Sequence, residues 1–235
     1  MDLIKKKWTN NDYNDFIKYL FTLTDEKYKN FHQNLGINNE LIGIRTSELK
    51  RIAKEISKGN YQEFLKLCKK NYYEEITIYG FIITNIKEID ISIKYLETYK
   101  NIINNWASCD LFCSSYKIVK KNKEYFYNYI LNNIKSNNLW IRRLCFVLLL
   151  DYYVEEYYLS KIFDLCDKYN TEDYYVEMSV AWLISICYIK YPNITINYLR
   201  NNKLNLFTHN KAIQKIRESL RVDKETKEML NKLKR

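Results

Sequence analysis

Four side chains at wide spacing are equipped to do chemistry: Trp106 and Asp110, then Arg143, then Trp182. Trp106 and Asp110 stand four apart in Asn105-Trp106-Ala107-Ser108-Cys109-Asp110, a spacing that puts both on one face of a helix. Arg143 closes the segment Leu139-Trp140-Ile141-Arg142-Arg143, and Trp182 closes Ser179-Val180-Ala181-Trp182. Two indole faces, one carboxylate and one guanidinium make a kit for handling a cationic nucleotide and its phosphates. The rings attract a cation by about 0.5 to 2 kcal/mol each, and the guanidinium grips phosphate oxygens bidentately. Each residue also has a plainer reading. Trp106 can pack in a core while Asp110 caps a helix or pairs with a lysine, and for that pair taken alone this is the better reading. Yet Asp110 is flanked by Cys109, Leu111, Phe112 and Cys113, and a carboxylate in so apolar a stretch is costly unless it is paired or exposed for use. Arg142 and Arg143 lead into the apolar run 144–150, where a buried salt bridge to a neighbouring helix, with Asp110 a candidate partner, competes with phosphate binding. Trp182, beside the small residues Ser179 and Ala181, is equally readable as a core tryptophan.

Residues spread this far apart need long elements to position them. The chain has 235 residues, one proline (Pro192) and only four glycines, Gly36, Gly43, Gly59 and Gly80. A sheet protein of this length needs far more turn punctuation, so the chain reads as all-α. Helices are predicted near 11–22, 25–33, 46–58, 61–70, 73–85, 90–102, 106–119, 123–135, 139–153, 156–168, 172–190, 193–200, 209–219 and 223–233. Thr46, Asn60 (with Glu63 as a capping box), Thr171 and Asp223 are the N-cap candidates, and Gly59 a candidate stop. No linker rich in Ser, Gly or Pro divides residues 1–235, which points to a single domain. Helix pairs recurring at roughly 35 to 45 residues suit stacked helical repeats, a curved superhelix of antiparallel pairs. An ordinary helical bundle fits the same rhythm.

Composition limits the partners. Net charge is +10, and residues 203–235 hold ten lysines or arginines against four acids. A basic balance suits phosphate backbones or anionic surfaces, although a solvated, soluble surface is the bland alternative. Lys117, Lys120, Lys121 and Lys123 cluster at a helix end. Lys211, Lys215 and Arg217, with Arg221, recur at helical spacing beside His209 and Asn210, a row fit for phosphate contacts. Of the adjacent arginines, Arg142 is also a candidate DNA contact. No apolar run is long enough to span a membrane, and the start Met1-Asp2-Leu3-Ile4-Lys5-Lys6-Lys7 has no secretory core. Six cysteines without a dense framework are expected to be reduced and buried, which points to the cytoplasm. Cys109 and Cys113 lie four apart, but His32 and His209 are the only histidines and neither is near a cysteine pair, so neither metal nor cofactor is expected. No Ser-His-Asp order, glycine-rich phosphate loop or H-E-x-x-H motif is present. The 23 tyrosines match the bias of AT-rich coding, so little weight rests on any one of them.

Nearly the whole chain resembles the AlkD-like DNA alkylation repair family, the HEAT-like-repeat DNA glycosylases. The likeness starts at Gly43-Ile44-Arg45-Thr46-Ser47-Glu48-Leu49-Lys50-Arg51-Ile52-Ala53-Lys54, similar to the family's G-V-R-x-P-x-L-R-x-I-A-K segment. It runs through Trp106 and Asp110, Trp140-Ile141-Arg142-Arg143 and Ala181-Trp182, and ends at Asn210-Lys211-Ala212-Ile213-Gln214-Lys215-Ile216-Arg217-Glu218. The resemblance implies a C-shaped solenoid holding duplex DNA in a basic groove and excising cationic purines of the N3-methyladenine and N7-methylguanine type, without flipping the base into a pocket. By the same resemblance Asp110 stabilises the oxocarbenium sugar and positions water, Trp106 and Trp182 pack against deoxyribose and backbone, and Arg143 holds a phosphate.

Three departures from the pattern stand out: Ala181 where the family often has Gly, the Ala107-Ser108-Cys109 segment before Asp110, and Thr46-Ser47-Glu48 without the usual Pro. They mark a divergent branch. The alternative is therefore a non-catalytic relative that binds bent or branched DNA, and a third reading is a helical scaffold for protein partners. Retention of all four site positions favours the glycosylase. A monomer is expected, since a groove holding a duplex needs no second subunit.

Overall fold

The computed structural model describes residues 1–37 and 39–235 and is helical throughout, with fourteen α-helices, one 3-10 helix and no strand among the described residues. It forms two compact units, Met1–Lys121 and Asn122–Arg235. The first holds α1 (Asn10–Phe21), α2 (Glu26–Gln33), α3 (Thr46–Ile56), α4 (Tyr61–Leu67), α5 (Tyr73–Asn85), α6 (Ile89–Tyr99), α7 (Trp106–Ser115) and the 3-10 turn Lys117–Lys121. The second holds α8 (Lys123–Asn133), α9 (Leu139–Tyr152), α10 (Glu156–Tyr169), α11 (Tyr174–Lys190), α12 (Pro192–Arg200), α13 (Leu206–Glu218) and α14 (Lys224–Asn231).

Within each unit alternate helices pack side by side: α3 on α5 and α5 on α7 in the first, α9 on α11 and α11 on α13 in the second. The skipped helices fold back as partners, α6 against α5, α12 against α11 and α14 against α13. Packing of every second helix is the signature of a helical repeat stack. The layer helices begin at 46, 73 and 106 in the first unit and at 139, 174 and 206 in the second, steps mostly shorter than the roughly 35 to 45 residues expected, because the return helices are short.

Position in the layer explains the patterning. α3 lies at an edge and buries one stripe, Leu49, Ile52, Ala53 and Ile56. α5 lies between two neighbours and buries every residue from Tyr73 to Ile83. A helix covered on both sides has no polar face to show. That burial takes in two acids. Glu74 accepts from the backbone N–H groups of Ile42 (3.0 Å), Gly43 (2.8 Å) and Ile44 (3.2 Å). Glu75 accepts from Asn71 N (2.7 Å), Tyr72 N (2.9 Å) and the Tyr13 hydroxyl. All six cysteines are free and buried.

Several helix ends depart from expectation. Thr46 is the first residue of α3 and the N-cap position falls on Arg45, which makes no side-chain cap; its guanidinium pairs with Asp25 (2.7 Å). The N-cap position of α11 falls on Asp173, not Thr171, without a side-chain cap, and the Thr171 hydroxyl donates to the Asp173 carboxylate (3.2 Å). Asn60 caps α4, but Glu63 leaves the box open and accepts from Trp8 N (2.8 Å). The helix predicted over 106–119 stops at Ser115. Tyr116 departs from it to bury its ring against Phe112 (4.7 Å) with its hydroxyl on Ser92 (2.7 Å).

Candidate functional site

In the first unit the start of α7 is pinned. The Asn105 side chain is buried, accepts from Ser108 N (2.8 Å) and donates to Asn39 Oδ1 (2.9 Å). Trp106 is therefore the first helical residue, and its indole N–H donates to the Leu35 carbonyl (3.3 Å). Cys109, Phe112 and Cys113 are buried, whereas Trp106 and Asp110, one turn apart at the margin of that buried face, are only half-buried. α7 thus presents an anchored indole and a carboxylate together.

A groove of about 360 Å³ opens in the same unit. It is lined by Lys50 and Lys54 from α3, Thr84 and Asn85 from the end of α5, Ser114 from the end of α7 and Lys117 from the 3-10 turn. Lys50 Nζ lies 5.2 Å from the Phe81 ring, Asn85 donates to Ser57 Oγ (3.1 Å), and Lys117 Nζ donates to the Ser114 carbonyl (2.5 Å). Three ammonium groups around one concavity suit an anion with several oxygens. Lys117 was singled out from sequence; Lys50 and Lys54 were not, although their i,i+4 spacing on the exposed side of an amphipathic helix was there to be read. Lys120 and Lys121 are exposed on the 3-10 turn.

In the second unit Arg143 is 5% exposed, and its Nη1 donates to the Tyr175 carbonyl (2.6 Å), tying α9 to the first turn of α11. Arg142 bends back to the Ser136 carbonyl (2.7 Å). Trp182 is half-buried on α11, the helix between α9 and α13. From α13, Lys215 has its pKa pushed down, first by burial, then by Lys211 and Arg143, against the pull of Glu218. The expected row on α13 divides: Lys211 bonds Gln214 (2.9 Å), while Arg217 reaches Asn231 of α14 (2.8 Å). His209 is fully buried, with Nδ1 facing the Asn202 amide (3.1 Å) and Nε2 the Leu233 carbonyl (2.8 Å). Arg221 is exposed beyond the helix end.

Among the described residues no group of three or more His, Cys, Asp or Glu could hold a metal ion, and no helix is long and apolar enough to cross a membrane. No curated protein matches the chain. A sequence profile described as DNA alkylation repair enzyme matches residues 18–216, a stretch running from α1 to the last turn of α13. With most of its length matched, the chain belongs to the DNA alkylation repair enzyme family.

Proposed function

We propose that the protein is a DNA glycosylase that excises cationic alkylated purines, of the N3-methyladenine and N7-methylguanine type, from duplex DNA without drawing the base into a pocket. Residues 1–235 act as one HEAT-like repeat domain, as a monomer in the cytoplasm. The observation that carries this reading is Asp110: a carboxylate left half-buried among buried neighbours on α7, one turn from Trp106, in a chain of a DNA repair family.

The chemistry asks little of the protein. An alkylated purine already bears positive charge, so the bond from C1′ to the purine nitrogen breaks with its electron pair going to the base, which leaves neutral. The sugar becomes an oxocarbenium ion. Asp110 places a fixed negative charge against it, and such preorganised charge is commonly the largest catalytic contribution. Water adds to C1′ and gives up a proton, with Asp110 positioning the attacking oxygen. Trp106 and Trp182 pack on deoxyribose and backbone. Arg143, with Lys211 and Lys215, holds phosphate in the second unit; Lys50, Lys54 and Lys117 do so in the first, with Arg142, Lys120, Lys121 and Arg217 in supporting contact.

Release of methylated purines from alkylated duplex DNA tests the reading. Asp110→Asn should cut release about 100-fold or more and leave duplex affinity unchanged. Release by the variant at the wild-type rate would remove Asp110 from the mechanism. No release by either protein, with binding to duplex or junction DNA intact, would establish a non-catalytic DNA-binding relative instead.

A further inference from the structure

Four aromatic rings meet at the first turns of α9, α11 and α13. Trp140 lies 4.8 Å from Tyr175, Tyr175 is 5.4 Å from Tyr174, and Tyr174 is 5.9 Å from Phe207, centroid to centroid. Each is the first or second residue of its helix. The row is not core: Tyr174 is 56% and Phe207 39% exposed, and Leu206 beside them is 60% exposed. Rings this exposed lose solvation benefit without a partner, and a contiguous exposed apolar patch marks a binding surface.

The surroundings name the partner's charge. Lys211 Nζ lies 5.7 Å from the Phe207 ring centroid. Lys211 and Lys234, with Asn210 and Gln214, line an open hollow of about 490 Å³ together with Leu206 and Phe207. Arg143 is bonded to the backbone of Tyr175 itself. Phe207, Lys211 and Lys215 follow at i, i+4 and i+8 along α13, so one helix face passes from aromatic to basic. The acid nearest the row in sequence, Asp173, occupies the cap position of α11. Flat rings edged by ammonium groups match a partner with flat faces on an anionic backbone, which is an unpaired nucleotide strand. A duplex offers its phosphates outward and keeps its base faces stacked away.

We propose that Trp140, Tyr175, Tyr174 and Phe207 form a stacking platform for unpaired nucleobases of DNA, with Lys211 and Lys234 receiving the phosphates. The proposal rests on the DNA-binding reading above and adds to it a preference for DNA whose strands are locally separated. Stacking on aromatic side chains is indifferent to base identity, so the preference is one of structure and not of sequence.

The test uses the full chain and two fluorescent duplexes, each carrying a four-nucleotide single-stranded flank that differs only in having bases or abasic sugars. Both present the same phosphates. Wild type should bind the flank with bases about tenfold tighter or more. The double variant Tyr174→Ala with Phe207→Ser should lose that preference while matching wild type on the abasic probe, and Tyr174→Phe with Phe207→Tyr should keep it. Both positions are exposed, and thermal melting checks that the fold survives. Equal wild-type affinities for the two probes, or a preference that persists in Tyr174→Ala with Phe207→Ser, would overturn the platform and leave the glycosylase reading to stand on purine release. Absence of binding to either probe together with absence of release would overturn both.

Discussion

Three acids stand out among apolar neighbours, and they differ in how deeply they are buried. Glu74 and Glu75 are 1% exposed, and their carboxylates are occupied by the backbone of the loops at 42–44 and 71–72. Asp110 is half-buried beside an indole. Removing Glu74 strands three buried N–H donors, each costing about 1–3 kcal/mol when unsatisfied. Glu74→Ala should therefore lower unfolding free energy by about 3 kcal/mol or more in urea melts, whereas Asp110→Asn, a near-isosteric change at a half-buried position, should move it less. Equal losses would mean that Asp110, too, is a structural acid. Asp110 was conspicuous in the sequence because Cys109, Leu111 and Phe112 surround it. Glu74 and Glu75 passed unnoticed because acids in the first turn of a helix are ordinary; the partners that mark them are the loop at 42–44 for Glu74 and the Tyr13 hydroxyl for Glu75, and only tertiary structure brings these there.

At the scale of the element, the number and order of the helices were legible because breakers are so scarce and each segment keeps one period. The ends were less so. The N-cap position of α3 falls on Arg45, which makes no side-chain cap and whose guanidinium goes to Asp25, and Tyr116 leaves α7 with its ring against the buried Phe112. Neither partner is local. The layer's close packing has a checkable consequence at Gly80. A Cβ there would lie 2.5 Å from Tyr99 Oη and 2.7 Å from Cζ, in a ring that is fully buried and stacked 5.9 Å from Tyr79. Alanine raises helix propensity by up to about 1 kcal/mol, yet overpacking typically costs 1–3 kcal/mol, and the steric effect should win. Gly80→Ala is expected to destabilise, and Tyr99→Phe in the same chain to recover part of the loss by removing the nearest atom. An added stabilisation in Gly80→Ala would mean that α5 and α6 have room to slide apart. Gly59, predicted as a helix stop, answers to the same kind of constraint, since its missing Cβ leaves space for the Lys5 backbone.

Across the whole chain, pH dependence can be read from two residues. His32 lies in one unit and His209 in the other, and they are the only histidines. Burial pushes both below the ordinary value of 6.5, and for His209 Arg235 adds to the shift while the Leu233 carbonyl opposes it. Such an imidazole is neutral when folded and takes up a proton more readily when unfolded, so the unfolded state binds more protons just below 6.5 and stability rises with pH there. The contribution is complete above pH 6.5 and is lost as pH falls through the lower folded values. Carboxylates act in a separate range. Asp12 is held at about 2 by Lys5 and Thr9, and Asp25, Glu48 and Asp223 are also lowered, so their stabilisation fades only near and below their ordinary values of about 4. Between pH 7 and 5 the melting temperature should therefore fall, with the histidines as the cause. His209→Gln offers an amide N–H for the Leu233 carbonyl and an oxygen for the Asn202 amide without a titrating group, and should flatten the part of the slope that belongs to the second unit. A melting temperature that does not change from pH 7 to 5, or a slope unaltered in His209→Gln, would show that the imidazole charges freely in the fold and that its burial between Asn202 and Leu233 is not maintained in solution.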